Sequence, residues 1–127
     1  MIAVDTNVLV RLLTGDDPAQ TKRAAEFFAR ENVFIPKTVL LETEWVLRYS
    51  YELPPPVILA AFHNTLGLPQ VTAEDSAALV EALARYEGGM DFADALHLAS
   101  VRDADAFATF DTRLKKRAGR QAKVILL

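Results

Sequence analysis

Short apolar segments alternate with longer amphipathic segments along the 127 residues of this chain. Residues 33–35 and 124–126 are typical of short strands, whereas residues 18–30 repeat apolar side chains at helical spacing. Strands that alternate with helices pair in parallel and carry helices on both faces of the sheet. The sequence therefore predicts an α/β fold with a central parallel β-sheet of four to five short strands. The length favours a single domain over residues 1–127.

Composition excludes several kinds of site and location. The chain has no cysteine, which excludes disulfides, thiolate zinc sites and cysteine nucleophiles. A strand that begins at Ile2 leaves no room for a signal peptide. The longest nearly apolar run, residues 53–62, contains three prolines and is too short to span a membrane. We therefore expect a cytoplasmic protein without membrane association.

A carboxylate stands twice where a strand gives way to a helix. Asp5 follows a predicted buried strand that contains Ile2 and Val4, and a helix is expected to start near Thr6. Asp111 follows the predicted strand 106–110 and also precedes a helix. Parallel strands end at the same edge of a sheet, so the two aspartates can be neighbours there. A plain helix cap, which contributes about 1 kcal/mol, is the alternative explanation for Asp5.

The helix predicted over residues 38–51 carries two glutamates with different surroundings. At about 100° per residue, Glu42 falls in the middle of an apolar arc. The members of that arc are Val39, Trp45, Val46 and Tyr49. Glu44 falls beside Arg48, four residues on, where a surface ion pair explains it. A lone buried carboxylate is costly unless it is paired or binds a metal, so Glu42 is the functional candidate.

A further acidic pair opens the helix that begins near residue 92. Asp91 is a good N-cap, and Asp94 stands at the third helical position among apolar neighbours. A capping box variant, in which Asp94 reaches back to the cap, is one interpretation of this pair. The other is a partly buried anion that the helix N-terminus stabilises.

Four acidic residues thus stand at a helix start or on a predicted buried face: Asp5, Glu42, Asp94 and Asp111. Without cysteine or paired histidines, such a site offers only oxygen ligands, which favours Mg²⁺, or else Mn²⁺, over zinc. Carboxylate-bound Mg²⁺ can activate water and stabilise the leaving oxygen of a phosphodiester. The residues therefore indicate metal-dependent phosphodiester hydrolysis. Crowding of four carboxylates is expected to raise the pKa of at least one of them.

The C-terminal segment is basic although the net charge of the chain is −3. No acidic residue follows Asp111, and the candidates for contacts to RNA phosphates are Arg113, Lys115, Lys116 and Arg117. A solvated helix face is an equally good explanation of these charges.

Four motifs together resemble the PIN-domain ribonucleases, and within them the VapC-type toxins of bacterial toxin–antitoxin pairs. The motifs are V-D-T-N, L-L-E-T-E-W-V-L, D-F-A-D-A-L-H-L-A and T-F-D, in that order. The resemblance spans the whole chain and implies that its acidic site residues are Asp5, Glu42, Asp94 and Asp111. It implies supporting roles for Thr6, Asn7 and Asp91. It further implies Mg²⁺-dependent endoribonuclease activity, a homodimer and a cognate antitoxin.

Three alternatives remain at the level of sequence. A signalling receiver domain has a similar length and an acidic Mg²⁺ pocket, but it expects an acidic pair near the first strand, where only Asp5 stands. It also expects a late lysine before a proline, which this chain lacks. An aspartate-nucleophile phosphatase expects a second aspartate where Asn7 stands. The third alternative is a catalytically inactive PIN-fold module that binds RNA or protein.

Overall fold

The computed structural model of the protein describes residues 1–120 and 122–127, which form five strands and seven helices. The predicted α/β class with short strands is confirmed. The elements are β1 (Ile2–Ala3), α1 (Thr6–Thr14), α2 (Pro18–Arg30), β2 (Val33–Ile35), α3 (Lys37–Tyr49), α4 (Pro55–Leu66), β3 (Val71–Ala73), α5 (Ser76–Glu87), α6 (Phe92–Ala99), β4 (Phe107–Thr109), α7 (Thr112–Ala118) and β5 (Val124–Leu126). Among the described residues, no helix is long and apolar enough to cross a bilayer.

The chain divides into two compact units, Met1–Ser76 and Ala77–Leu127. Unit 1 contains a three-stranded parallel sheet in the order β1-β2-β3, and unit 2 contains the parallel pair β4-β5. All strand pairs are therefore parallel, as the alternation of strands and helices predicts. The prediction of a single domain over the whole chain stays a prediction.

The first strand is less buried than its apolar residues suggest. Val4 is buried as predicted, but Ile2 is 46% exposed, so the prediction of a buried side chain is wrong there. The physical reason is that β1 stands at the end of the strand order β1-β2-β3, and among the described residues of unit 1 it pairs with β2 alone.

Unit 1 buries the apolar stripes of α1, α3 and α4 against one another. Leu9 of α1, Leu47 of α3 and Phe62 of α4 are almost completely buried, and α1 packs on both α2 and α3. The start of α2 follows from its sequence, because Pro18 stands at the first helical position and Asp17 accepts a hydrogen bond from the amide of Gln20.

The N-terminus of α3 is held from the end of β3 and not by its own sequence. Pro36 precedes the helix and offers no side-chain cap. The amide of Lys37 donates instead to Oε1 of Glu74 over 3.0 Å, and Nζ of Lys37 lies 3.8 Å from Oδ2 of Asp75. These contacts satisfy one of the free amides at the helix start. The helix that carries Glu42 therefore takes its start from the residues that follow β3.

In unit 2, α7 packs on both strands of the β4-β5 pair. Asp91 caps α6 as predicted, since its Oδ2 accepts from the amide of Asp94 over 3.3 Å. Tyr86 and Phe92 pack edge to face with ring centroids 5.2 Å apart. Gly89 follows α5 with a positive φ of 101°, and a Cβ there would lie 2.9 Å from Nη1 of Arg117. Glycine is thus required at this turn.

Candidate active site

In unit 1, Asp5 is an exposed cap of α1. Its Oδ1 accepts a hydrogen bond of 2.7 Å from the amide of Thr6, so the cap interpretation of Asp5 is correct as far as the helix is concerned. The next side chain, Thr6, is buried, and its hydroxyl donates to Oε1 of Glu42. Asn7 is exposed. The structure therefore links Glu42 to the residue that follows Asp5.

The burial of the two glutamates of α3 is the reverse of the prediction. Glu42 is exposed, so the argument that it is a lone carboxylate on a buried face is wrong. Glu44, predicted to lie at the surface, is only 1% exposed. The predicted partner is correct: Nε and Nη2 of Arg48 lie 2.9 and 3.1 Å from the two carboxylate oxygens of Glu44. The i, i+4 pair is therefore a two-point contact with a buried carboxylate.

The reason for this reversal is that α3 is apolar on two sides. Leu40 and Leu47 define the buried side, and Glu44 stands four residues after the first and three before the second. This spacing was the available signal for the burial of Glu44. The arc that contains Trp45 and Tyr49 instead faces outward, so the prediction that these side chains point to the core is wrong. Glu42 shares that exposed side.

In unit 2, the pKa of one of the predicted site residues, Asp94, is shifted by its surroundings. Asp94 is partly buried, and burial is the main cause that raises the pKa of its carboxyl group. The negative charges of Asp91 and Asp111 raise the same pKa further, whereas His97 acts in the opposite direction. The expected direction, a raised pKa at one of the four acids, is thus met at Asp94, but the main cause is burial, and crowding by other carboxylates is secondary.

Asp111 occupies the same kind of position in unit 2 as Asp5 in unit 1. It is exposed and caps α7, and its Oδ1 accepts from the amides of Arg113 and Leu114 over 2.9 and 3.1 Å. Its own amide donates to Oγ1 of Thr109 over 3.0 Å. These bonds fix its side chain at the carboxyl end of β4.

The basic candidates on α7 fall into two classes. Nζ of Lys115 donates to the carbonyl oxygen of Val124 over 2.7 Å, and Nη1 of Arg117 donates to that of Gly89 over 2.8 Å. Arg113 and Lys116 are exposed, and the described part of the chain gives their side chains no hydrogen bond or ion pair. The second class is therefore the better suited to contact an external phosphate.

Within neither unit do the described residues contain three or more histidine or acidic side chains grouped closely enough to hold a metal ion. Unit 1 brings Glu42 next to Thr6, and unit 2 brings Asp94 under the influence of Asp91 and Asp111. Each unit thus contains candidate carboxylates whose surroundings are set by other residues of the same unit.

The family model of the PIN domain matches residues 2–120 of this chain. The chain belongs to the PIN domain family. The match includes the regions of all four motifs that resemble this family, and the predicted membership is confirmed.

Comparison with individual proteins gives a structural match at low sequence identity. No curated protein matches the sequence. A similar solved structure is the crystal structure of Mycobacterium tuberculosis VapC20, a sarcin–ricin-loop-cleaving toxin. It shares 24% sequence identity, the match covers 94% of this chain and 95% of that chain, and the TM-score is 0.47.

The donor chemistry of this PIN domain fits a hard divalent cation. Its candidate ligands are carboxylates alone, which suit Mg²⁺ or Mn²⁺. Burial is the main cause of the raised pKa of Asp94, and the negative charges of Asp91 and Asp111 add to it; a bound cation would offset those charges. In unit 1, the hydroxyl of Thr6 holds Glu42 in place without neutralising its charge. The contact between Thr6 and Glu42 joins two distant motifs, and sequence spacing gives no direct signal for it.

Proposed function

We propose that this PIN domain is a Mg²⁺-dependent endoribonuclease that hydrolyses RNA phosphodiester bonds. The observation that carries the proposal is the family match over residues 2–120 together with four acidic side chains at the motif positions of the family. The proposed metal ligands and catalytic residues are Asp5, Glu42, Asp94 and Asp111. Mn²⁺ is expected to replace Mg²⁺, because both prefer oxygen ligands.

The bound ion would supply an activated water and stabilise the charge that develops on the leaving oxygen. The chain's own contribution is to hold the carboxylates in position. Thr6 orients Glu42 through its hydroxyl, and the amides at the start of α7 orient Asp111. Burial and, after it, the negative charge of Asp91 raise the pKa of Asp94, so a proton would compete with the cation for this carboxylate. Asn7, exposed beside Thr6, is the remaining supporting residue.

The proposal extends to the biological setting. The motifs resemble those of VapC-type toxins, which supports a toxin of a toxin–antitoxin pair, acting as a homodimer in the cytoplasm and inhibited by a cognate antitoxin protein. The exposed cations Arg113 and Lys116 support binding of RNA phosphates by α7. Lys115 and Arg117 connect α7 to the carbonyl oxygens of Val124 in β5 and of Gly89 after α5. A small reading frame beside the gene, encoding a protein that binds and inhibits this one, is the expected genetic context.

The test is incubation of the pure protein with mixed single-stranded and structured RNAs in Mg²⁺, in Mn²⁺ and in chelator. We expect internal cleavage with either ion and none in chelator. Glu42→Gln should lower the cleavage rate by at least about a hundredfold while the variant keeps a cooperative melting transition. The matched control is Glu26→Gln, which alters an exposed glutamate of α2 and should leave cleavage unchanged.

Cleavage that persists in chelator would contradict the metal-dependent mechanism. RNA binding without cleavage in any metal would instead support the inactive PIN-fold module. Equal activity of Glu42→Gln and Glu26→Gln would remove Glu42 from the site while leaving the family assignment intact.

A further inference from the structure

The exposed side of α3 carries two large aromatic side chains in contact with each other. Trp45, the only tryptophan of the chain, is 56% exposed, and Tyr49 is 57% exposed. Their ring centroids lie 5.2 Å apart, and the ring planes meet at 44°. Single exposed apolar residues are common on proteins, but a contacting Trp–Tyr pair that remains this exposed is a candidate for binding.

This pair shares its side of the helix with the proposed catalytic Glu42. Trp45 follows Glu42 by three residues and Tyr49 follows it by seven, which is the spacing of one face of an α-helix. At a rise of about 1.5 Å per residue, the rings begin about 4.5 Å from Glu42 along the axis and extend to about 10.5 Å. Stacked nucleotides repeat at about 3.4 Å along a strand, so this distance corresponds to about one to three nucleotides.

The ring of Tyr49 is held by groups that are themselves anchored. The guanidinium carbon of Arg48 lies 4.7 Å from the centroid of the Tyr49 ring, and Nη1 of Arg48 donates to the Tyr49 hydroxyl over 3.4 Å. The same guanidinium is fixed by the buried carboxylate of Glu44. The orientation of the Tyr49 ring, against which Trp45 packs, is therefore set before any ligand arrives, which reduces the entropic cost of binding.

From these observations we infer that Trp45 and Tyr49 form a stacking surface for bases of the RNA adjacent to the bond that is cut. Aromatic side chains accept any base by stacking, and single-stranded RNA exposes its bases for such contacts. The inference rests on the proposed endoribonuclease function and names how the same site binds its substrate.

A protein partner fits this face less well than RNA does. The core of a protein interface is depleted of charged residues, whereas Glu42 stands on the same side as both rings. A carboxylate that would hold a divalent cation is compatible with a nucleotide beside it, because the cation would offset the negative charge next to the phosphates. An RNA ligand therefore accounts both for the carboxylate of Glu42 and for the two aromatic rings on this face.

Trp45 provides a direct test, because its fluorescence reports on this face alone. A short single-stranded RNA is titrated into the protein in chelator, where no cleavage is expected, and tryptophan emission is recorded. We expect emission to change on binding, and an abasic RNA backbone of equal length to bind more weakly with no comparable change.

Variants separate stacking from other roles of the helix. Trp45→Ala should weaken RNA binding about tenfold, and Trp45→Phe should restore most of the affinity because a ring is kept. The control Val80→Ala removes an exposed apolar side chain of α5, which is 71% exposed, and should bind RNA as the wild type does. The dependence of binding on salt should be the same for Trp45→Ala and wild type, because no phosphate contact is lost.

The inference would be overturned if Trp45→Ala bound RNA with the same affinity as the wild type. If, in addition, sedimentation gave Trp45→Ala a smaller mass than the wild type, this face would be a contact between copies of the chain. Failure of the proposed function is recognised separately, as absence of cleavage by the wild type in Mg²⁺ and Mn²⁺.

Discussion

Asp94 is a residue of unit 2 whose pKa is raised by its surroundings. Burial raises its pKa first, and the negative charges of Asp91 and Asp111 add to that effect. In the folded protein, Asp94 therefore keeps its proton to a higher pH than in the unfolded chain, where the pKa is about 3.9. A group that binds more protons in the folded state contributes stability that is lost as the pH rises through its folded pKa.

Asp94→Asn should therefore change the pH dependence of stability. Without metal, the wild type should lose stability as the pH rises from about 4 through the folded pKa of Asp94, and the variant should lose less over the same interval. Urea unfolding in chelator between about pH 4 and 7 measures the difference. Asp103→Asn, at an exposed aspartate, is the control and should follow the wild type. Parallel curves for all three proteins would contradict the prediction.

Glu44 is a second residue whose surroundings determine its effect. Its carboxylate is buried and bound at two points by Arg48, whose side chain is partly exposed. Glu44→Gln removes the charge but keeps the shape, which leaves the guanidinium without its anion.

We expect Glu44→Gln to lower the free energy of unfolding by about 1 to 3 kcal/mol, the cost typical of an unsatisfied buried polar group. Denaturant unfolding measures this change. Glu26→Gln is the matched control on an exposed helix face and should stay within about 0.5 kcal/mol of wild type. If the two variants were equally stable, the buried ion pair between Glu44 and Arg48 would not contribute to the free energy of unfolding.

At the scale of elements, local sequence signals decided which predictions were accurate. The bounds of α2, Pro18–Arg30, match the prediction because Asp17 and the proline at its first position act within one turn. The predicted strand 33–35 and the predicted helix start at Thr6 are also confirmed. The start of α3 was predicted one residue late, because the group that holds it, Glu74, is distant in sequence.

The outward side of α3 could not be predicted in the same way. Both sides of this helix are apolar, so periodicity alone does not say which one is buried. Packing against α1 and α4 selects the side with Leu40 and Leu47. The roles of Asp5 and Asp111 as caps were visible in the sequence, but the bond from Thr6 to Glu42 depends on how α1 and α3 pack.

The helix α7 allows its two classes of cation to be separated by mutation. Arg113→Gln combined with Lys116→Gln removes two exposed charges that make no contact in the described part of the chain. If both contact RNA phosphates, the slope of log affinity against log salt should decrease by about 1.4, or about 0.7 for each contact. The measurement is RNA binding in chelator over a range of salt concentrations.

The control for this pair is Lys22→Gln combined with Arg30→Gln, which removes the same two residue types from exposed positions of α2. It should lower the net charge equally without changing the slope. A slope that decreases equally in both double variants would assign the effect to overall charge, and α7 would then be an ordinary solvated helix.

At the scale of the whole molecule, binding of the proposed metal should raise the free energy of unfolding. A ligand that binds only the folded state stabilises it by RT ln(1 + [L]/Kd), or about 2.7 kcal/mol at a hundredfold excess over Kd. Asp5→Asn should keep the cap of α1, because asparagine caps helices as well as aspartate does. It removes one negative charge from the proposed site.

We therefore expect Asp5→Asn to melt at or above the wild-type temperature in chelator and to gain less than the wild type in excess Mg²⁺. Melting curves of both proteins under both conditions measure this. If Asp5→Asn melts well below the wild type in chelator, the main role of Asp5 is to stabilise α1. Equal gains from Mg²⁺ would exclude Asp5 as a ligand.

The attachment of α3 to the end of β3 has a consequence for synthesis on the ribosome. Lys37 finds its partner Glu74 only after 37 further residues have been added. At rates of about 5 to 20 residues per second, that interval lasts roughly 2 to 7 seconds. During this time the segment with Glu42 and Trp45 lacks the contact that fixes its start. A nascent chain that stops before β3 would thus lack the contact that orders the start of α3. Because the proposed site also needs Asp94 and Asp111, activity would begin only after the first 111 residues have been made.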